Sequence, residues 1–184
     1  MKNPERSNTE RSRSEGSRKI LGVDPGSIHC GYGLISSDGK NAKYILSGRI
    51  SPPASRPLHY RLKCIHEVLL DIIRTNRPDD LVVEKIFFAK GAKAALSLGH
   101  ARGVVLLASA SEELDLHECS ALEVKKAVVG YGRAEKSQVQ EMVKLILGIK
   151  GQLYPDSADA LALALCYMNA IKFNRAIGKD DDRQ

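Results

Sequence analysis

Tryptophan is absent from the 184-residue chain, phenylalanine occurs three times, and there are only four cysteines. Cys30, Cys64, Cys119 and Cys166 are widely separated, with no C-x-x-C among them. That spacing excludes the usual structural zinc patterns, and a chain of this size does not need a disulfide framework. Free buried thiols in a reducing compartment are expected. Long apolar runs are also missing. The longest has nine residues, from Ala160 to Met168, too short to cross a bilayer as an unbroken stretch. The first 19 residues contain no apolar segment of the kind a secretory signal needs. These absences point to a cytoplasmic protein without a membrane anchor.

The charge needs dissection. The net charge is +6, but much of it lies in the tails, and residues 20–171 carry only about +2. Residues 1–18 are rich in Ser, Arg, Glu and Asn and are expected to be a disordered basic and polar extension. Residues 176–184, with the run Asp180-Asp181-Asp182, are expected to fray. One domain over 19–175 remains, large enough to bury its own core.

Within that domain short apolar runs predict strands over 19–24, 32–36 and 43–50, with the Asp38-Gly39 turn closing a hairpin between the last two. Leu58, Leu62, Ile65, Leu69, Ile72 and Ile73 recur at helical spacing over 58–75. A strand is expected over Asp80–Glu84 and a long helix rich in small residues over 92–113. A strand over 114–119 and helices over Ala121–Val129, 135–147 and 156–173 complete the order βββαβαβααα. This is an α/β pattern with a mixed five-stranded sheet and helices on both faces. Ligands in such sheets gather at the carboxyl ends of the parallel strands.

Acids stand where that rule directs attention. Asp24 follows Ile-Leu-Gly-Val and Glu84 follows Leu-Val-Val, each at the end of a buried strand. Taken singly, each reads equally well as a functional acid and as an ordinary turn acid that faces water or caps a helix. Asp156 and Asp159, three apart, open a helix that continues Ala-Leu-Ala-Leu-Ala-Leu, apolar all round. Acids are common in a first helical turn, and Asp156 behind Pro155 also reads as a cap. A buried helix that opens with two like charges nonetheless needs a cation or a basic partner. If the four converge, hard oxygen ligands of this kind suit Mg²⁺ or Mn²⁺. Two such ions stabilise the attacking and leaving oxygens of phosphodiester hydrolysis. No competing nucleophile constellation is visible.

Four blocks carry a family resemblance: ILGVDPGSIHCGYGLI, VVEKIFFAKGAKAALSLGHARGV, VKKAVVGYGRAEKSQVQEMV and PDSADALALAL, in this order over about residues 19–170. Together they resemble the RuvC-type Holliday junction resolvases. The resemblance implies a ribonuclease-H-like fold and a homodimer. It implies a crossover junction endodeoxyribonuclease that nicks opposed strands of a four-way DNA junction, leaving 5′-phosphate and 3′-hydroxyl ends in recombination and repair. Asp24, Glu84, Asp156 and Asp159 match the family's ligands for two Mg²⁺ ions. Lys125 and Lys136 match lysines near the scissile phosphate, and Lys90 a DNA-contacting position. Phe87 matches an aromatic that stacks on an unpaired base, with Phe88 expected in the core. Cooperation with the branch-migration proteins RuvA and RuvB is implied as well.

His29 stands in a loop where the family varies, and it reads as an ordinary loop histidine. Without the four acids the core would stand near +6, enough to grip phosphate backbones. The small residues of 92–113 make that helix the candidate dimer surface, although such residues equally suit packing against the sheet. Three other readings are weighed against this one. The Gly22-x-Asp24-x-Gly26 turn resembles the phosphate loop of actin-like ATPases, which need a second such domain. A YqgF-like RNA-processing nuclease would share the acids. A non-catalytic junction-binding module would have lost one of them, and none is lost.

Overall fold

The computed structural model describes residues 17–85 and 91–178. The element order is the expected one: β1 (Arg18–Asp24), β2 (Cys30–Ser37), β3 (Ala42–Ile50), α1 (Leu58–Asn76), β4 (Asp80–Glu84), α2 (Ala92–Ser111), β5 (Asp115–Cys119), α3 (Ala121–Val129), α4 (Lys136–Leu147) and α5 (Pro155–Ala176). The strands form one sheet in the order β3-β2-β1-β4-β5. β1, β2 and β3 pair antiparallel, whereas β4 lies parallel to β1, and β5 parallel to β4. The mixed sheet follows from the connections. A tight turn at Asp38 and Gly39 joins β2 to β3, and Asp38 Oδ1 accepts the backbone N–H groups of Lys40 and Asn41 at 2.7 and 2.6 Å. The parallel pairs are bridged by whole helices.

Side chains of β1 alternate between two cores. Leu21 and Val23 join Ile65, Leu69, Ile72 and Ile73 of α1 and Val105 and Ala108 of α2. Ile20 and Val82 join Val128 of α3, Val139 and Val143 of α4, and the buried stretch of α5. Helices therefore cover both faces, as the strand-helix order implied. Arg77 ends α1 in the left-handed region, its N–H bonded to the Ile73 carbonyl, just before Pro78.

One device had no counterpart in the sequence reading. α5 lies almost against the backbone of β1 and β2. A Cβ on Gly22 would come 1.9 Å from the Ala160 carbonyl oxygen, and one on Gly31 2.0 Å from that of Asp156. Gly33, paired with Gly22 across the strands, underlies Leu161. The glycines clear a track on which the helix seats at close range. Its first turn then falls beside the ends of β1 and β2.

Some expectations change in detail. Arg18 is not in a disordered extension: it begins β1 and pairs with the buried Asp80, whose charge requires a partner. α5 includes Ala176. Cys30, Cys119 and Cys166 are buried free thiols, but Cys64 is only partly buried, because α1 turns that side of the helix toward solvent. The expectations for residues 1–16 and 179–184, and those for Phe87, Phe88 and Lys90, fall outside the described residues. α2 is also more apolar than its burial requires. By length and composition alone it could cross a membrane, yet it packs on the sheet through Ala101, Val105 and Ala108.

Candidate active site

Because β1 and β4 run parallel, Asp24 and Glu84 emerge at the same end of the sheet. Register places them on the same face: Gly22 pairs with Val82, and two residues on from each come the two acids. That face is the one α5 covers, and the glycine track brings Asp156 and Asp159 beside them. Asp24 is the centre of the group. Burial, then the charge of Asp159, with smaller contributions from Glu84 and Asp156 against an opposing pull from Lys136, pushes its carboxyl up to about 7. Glu84 and Asp159 are also raised, each chiefly by burial. The neighbouring Cys30 thiol is pushed up to about 12, mainly by burial, with Asp24 and Asp156 adding to the effect.

Lys136 answers part of this charge. It is the first residue of α4, and its Nζ lies 2.6 Å from Asp159 Oδ2. Burial alone would lower its ammonium pKa, but Asp159, Asp24 and Asp156 outweigh that and raise it. Lys125 does not join: it projects from α3, and its ammonium makes no ion pair or hydrogen bond with any described residue. His29 is exposed and bonds Ser51 Oγ through Nδ1 at 3.0 Å, the behaviour of a loop histidine. The loop it belongs to is tied down by Ser27, whose hydroxyl meets that of Ser97 on α2 at 2.9 Å.

Two arginines were missed from sequence. Arg102 of α2 donates to the Glu84 backbone carbonyl at 2.6 Å and pairs with Glu118, so it fixes the end of β4. It stands inside the LGHARG segment, the one signal that pointed to it. Arg49 of β3 lies over the ring of Tyr154 at 4.4 Å, its Nη1 3.6 Å from Asp156 Oδ2. No sequence pattern distinguishes Arg49 from any other strand arginine.

The donor set fits a hard divalent cation: carboxylate oxygens only, from rigid strand ends and a helix start, with more negative charge than the nearby bases offset. The fit is of chemistry and placement rather than of a finished cage. Among the described residues no three His, Cys, Asp or Glu side chains meet in metal-holding geometry.

Comparison with known proteins places the chain in a family. The family model of the crossover junction endodeoxyribonuclease RuvC matches residues 20–167. The crossover junction endodeoxyribonuclease RuvC of Halothermothrix orenii is 46% identical over 160 residues, covering 86% of this chain and 97% of that protein. The structure of Thermus thermophilus RuvC in complex with a Holliday junction substrate superposes with a TM-score of 0.79 at 30% identity, over 88% of this chain and 97% of that one. The yeast mitochondrial Holliday junction resolvase Ydc2, at 14% identity and a TM-score of 0.60, shares the fold.

Proposed function

The chain belongs to the RuvC family of crossover junction endodeoxyribonucleases, and from that premise we propose how its residues do the work. The protein is a structure-specific endonuclease that resolves four-way DNA junctions by hydrolysing phosphodiester bonds in opposed strands. The observation that supports the site assignment is geometric: Asp24 and Glu84 leave parallel strands on one face, under the first turn of α5 that carries Asp156 and Asp159. Burial first, and then the charges of these neighbours, push the Asp24 carboxyl up to about 7. Acids so placed are destabilised without a cation, and that is the cost of keeping a cation site on a rigid scaffold.

Asp24, Glu84, Asp156 and Asp159 hold two Mg²⁺ ions, with Mn²⁺ able to replace them. When bound, the ions supply Lewis-acid stabilisation of the attacking and leaving oxygens of the phosphodiester. The chain's residues do the rest. The strand ends fix Asp24 and Glu84, and Arg102 anchors the Glu84 carbonyl. Lys136 keeps a positive charge over the acids, at a helix start whose N–H groups also favour phosphate. Lys125 and Lys90 contact the DNA backbone, and Phe87 stacks on an unpaired base at the crossover. The cut leaves 5′-phosphate and 3′-hydroxyl ends. Chromosomal DNA as substrate puts the work in the cytoplasm, with RuvA and RuvB as partners in branch migration.

Two cuts need two sites. Among the described residues one chain carries one such acid cluster, and a two-fold dimer presents two to the near-symmetric junction. α2 supports that reading. Leu96, Gly99, Gly103 and Leu107 form a stripe along one side; the leucines are 63% and 57% exposed, and nothing lies within 4 Å of either glycine's missing Cβ. A second α2 fits there at close range.

The test is cleavage of a synthetic four-way junction beside an equal-length linear duplex, with and without Mg²⁺. Paired symmetric nicks in the junction alone, lost without metal, are expected. Binding without nicks would make the protein a junction-binding module, and equal treatment of both substrates would refute the resolvase reading. The match over residues 20–167 leaves the actin-like and RNA-processing readings without a supporting observation.

A further inference from the structure

Arg49 stands at the rim of the acid cluster, and no motif of the four family blocks contains it. It reaches the site through the sheet. On β3 it pairs with Gly31 of β2, the glycine over which the Asp156 backbone passes. Its guanidinium then lies between two groups at the start of α5, one at the cap and one in the first turn. The face of Tyr154 is 4.4 Å from Cζ, and Asp156 Oδ2 is 3.6 Å from Nη1.

The Arg49 side chain is half-buried, with 28% of its surface exposed. Stacking on a ring that is itself seated at the cap of α5 fixes its plane. Yet its donors are uncommitted. The approach to Asp156 is an ion pair too long for a hydrogen bond, and within the described residues the guanidinium donates none. Arg102, by contrast, spends its donors on the Glu84 carbonyl and on Glu118. A planar, permanently charged fork, oriented in advance and left open, suits bidentate capture of a phosphate oxygen pair. Once cations neutralise Asp156, its main competitor for the fork is removed.

We propose that Arg49, held by Tyr154, binds a backbone phosphate of the DNA strand that enters the acid cluster. The inference rests on the resolvase reading, since it supplies that site with a contact for its substrate. Tyr154, 56% exposed, is the positioning residue: it touches Arg49 and sets the direction of the fork.

The test measures junction affinity in Mg²⁺ between 50 and 200 mM salt, on an Asp24→Asn background that stops cleavage. Into it go Arg49→Ala, Arg49→Lys and Tyr154→Leu. Arg49→Ala is expected to weaken binding roughly tenfold and to reduce the salt slope by about one. Arg49→Lys, which keeps the charge, should retain the slope and recover part of the affinity. Tyr154→Leu should keep the slope but lose affinity, because the charge remains and only its orientation is lost. Mn²⁺ affinity is measured beside it. If Arg49→Ala alters Mn²⁺ binding and leaves the DNA salt slope unchanged, Arg49 acts through Asp156 and the inference is overturned. Unchanged affinity and slope in a folded Arg49→Ala protein also overturns it. A parent protein that binds linear duplex as well as junction refutes the resolvase reading instead, and leaves the phosphate contact to be judged by the slope alone.

Discussion

β4 carries an acid at each end, four residues apart and on the same face of the sheet, and the two live in opposite circumstances. Asp80, at the start, is fully buried and fully answered. Arg18 pairs with it, His117 Nε2 lies 3.2 Å from Oδ1, and the Tyr167 hydroxyl reaches the same oxygen at 3.4 Å. Burial alone would raise its pKa, but the hydrogen bonds from His117 and Arg18 overcome that and hold it below the ordinary value. Glu84, at the finish, is raised, first by burial and then by the charge of Asp159, with Lys136 and Arg102 offsetting only part. The first end is a finished ion cluster that ties β1, β4, β5 and α5 together. The second is an unfinished one, and what it lacks is positive charge. A carboxylate at the end of a buried strand is therefore no signal of function by itself. The signal is a group of carboxylates whose partners are mostly other carboxylates.

This contrast can be broken experimentally. Asp24→Asn or Asp159→Asn is expected to reduce metal-dependent junction cleavage by ~10³-fold or more, since each removes a charged ligand worth several kcal/mol to the transition state. The same variants should unfold in urea at no lower concentration than the parent without metal, because each removes a crowded charge. Gly22→Ala comes next. Its Cβ would meet the Ala160 carbonyl oxygen, so α5 must lift. A cost of about 1–3 kcal/mol in urea denaturation is expected, with a larger relative loss of cleavage as Asp156 and Asp159 leave their places.

At the other end the order of effects reverses. Asp80→Asn leaves Arg18 and His117 facing a neutral amide, and should cost about 3 kcal/mol of stability while cleavage per folded molecule stays near the parent's. The pH dependence sharpens this. Asp80 has a folded pKa below its unfolded value of about 3.9. Its contribution is therefore present above pH ~4 and is lost as the pH falls through the folded pKa. The gap in stability between parent and Asp80→Asn should shrink as the pH falls below ~4. Smallest in folding terms is Gly99→Glu on the exposed stripe of α2. It should leave stability within about 0.5 kcal/mol, as for other surface changes, but weaken self-association in sedimentation. A Gly99→Glu protein that remains a dimer would remove α2 from the interface.

The finished end was the harder one to read. The four candidate acids stood out because each breaks a local rule: a charge follows an apolar strand or opens an apolar helix. The order of elements was equally legible, since period and turn residues are local. Asp80 breaks the same rule and was passed over, because its answer comes from Arg18, His117 and Tyr167, which lie 62, 37 and 87 residues away. Arg49 was invisible for a similar reason: what distinguishes it is Tyr154 and Asp156 across the sheet. The glycines were visible as residues, but their use as a track for α5 depends on which helix lands on them. Lys125 shows the converse. The family pattern singled it out, and among the described residues its ammonium makes no ion pair or hydrogen bond that would mark it in the structure.

The central claim is that the Asp24 end of the sheet is a cation site and the Asp80 end is not. Its most direct test is a calorimetric Mn²⁺ titration of the parent, Asp159→Asn and Asp80→Asn proteins. About two ions should bind the parent and Asp80→Asn alike, and binding should weaken at least tenfold in Asp159→Asn. Equal binding by Asp159→Asn and the parent, or loss of binding in a folded Asp80→Asn protein, would contradict the account.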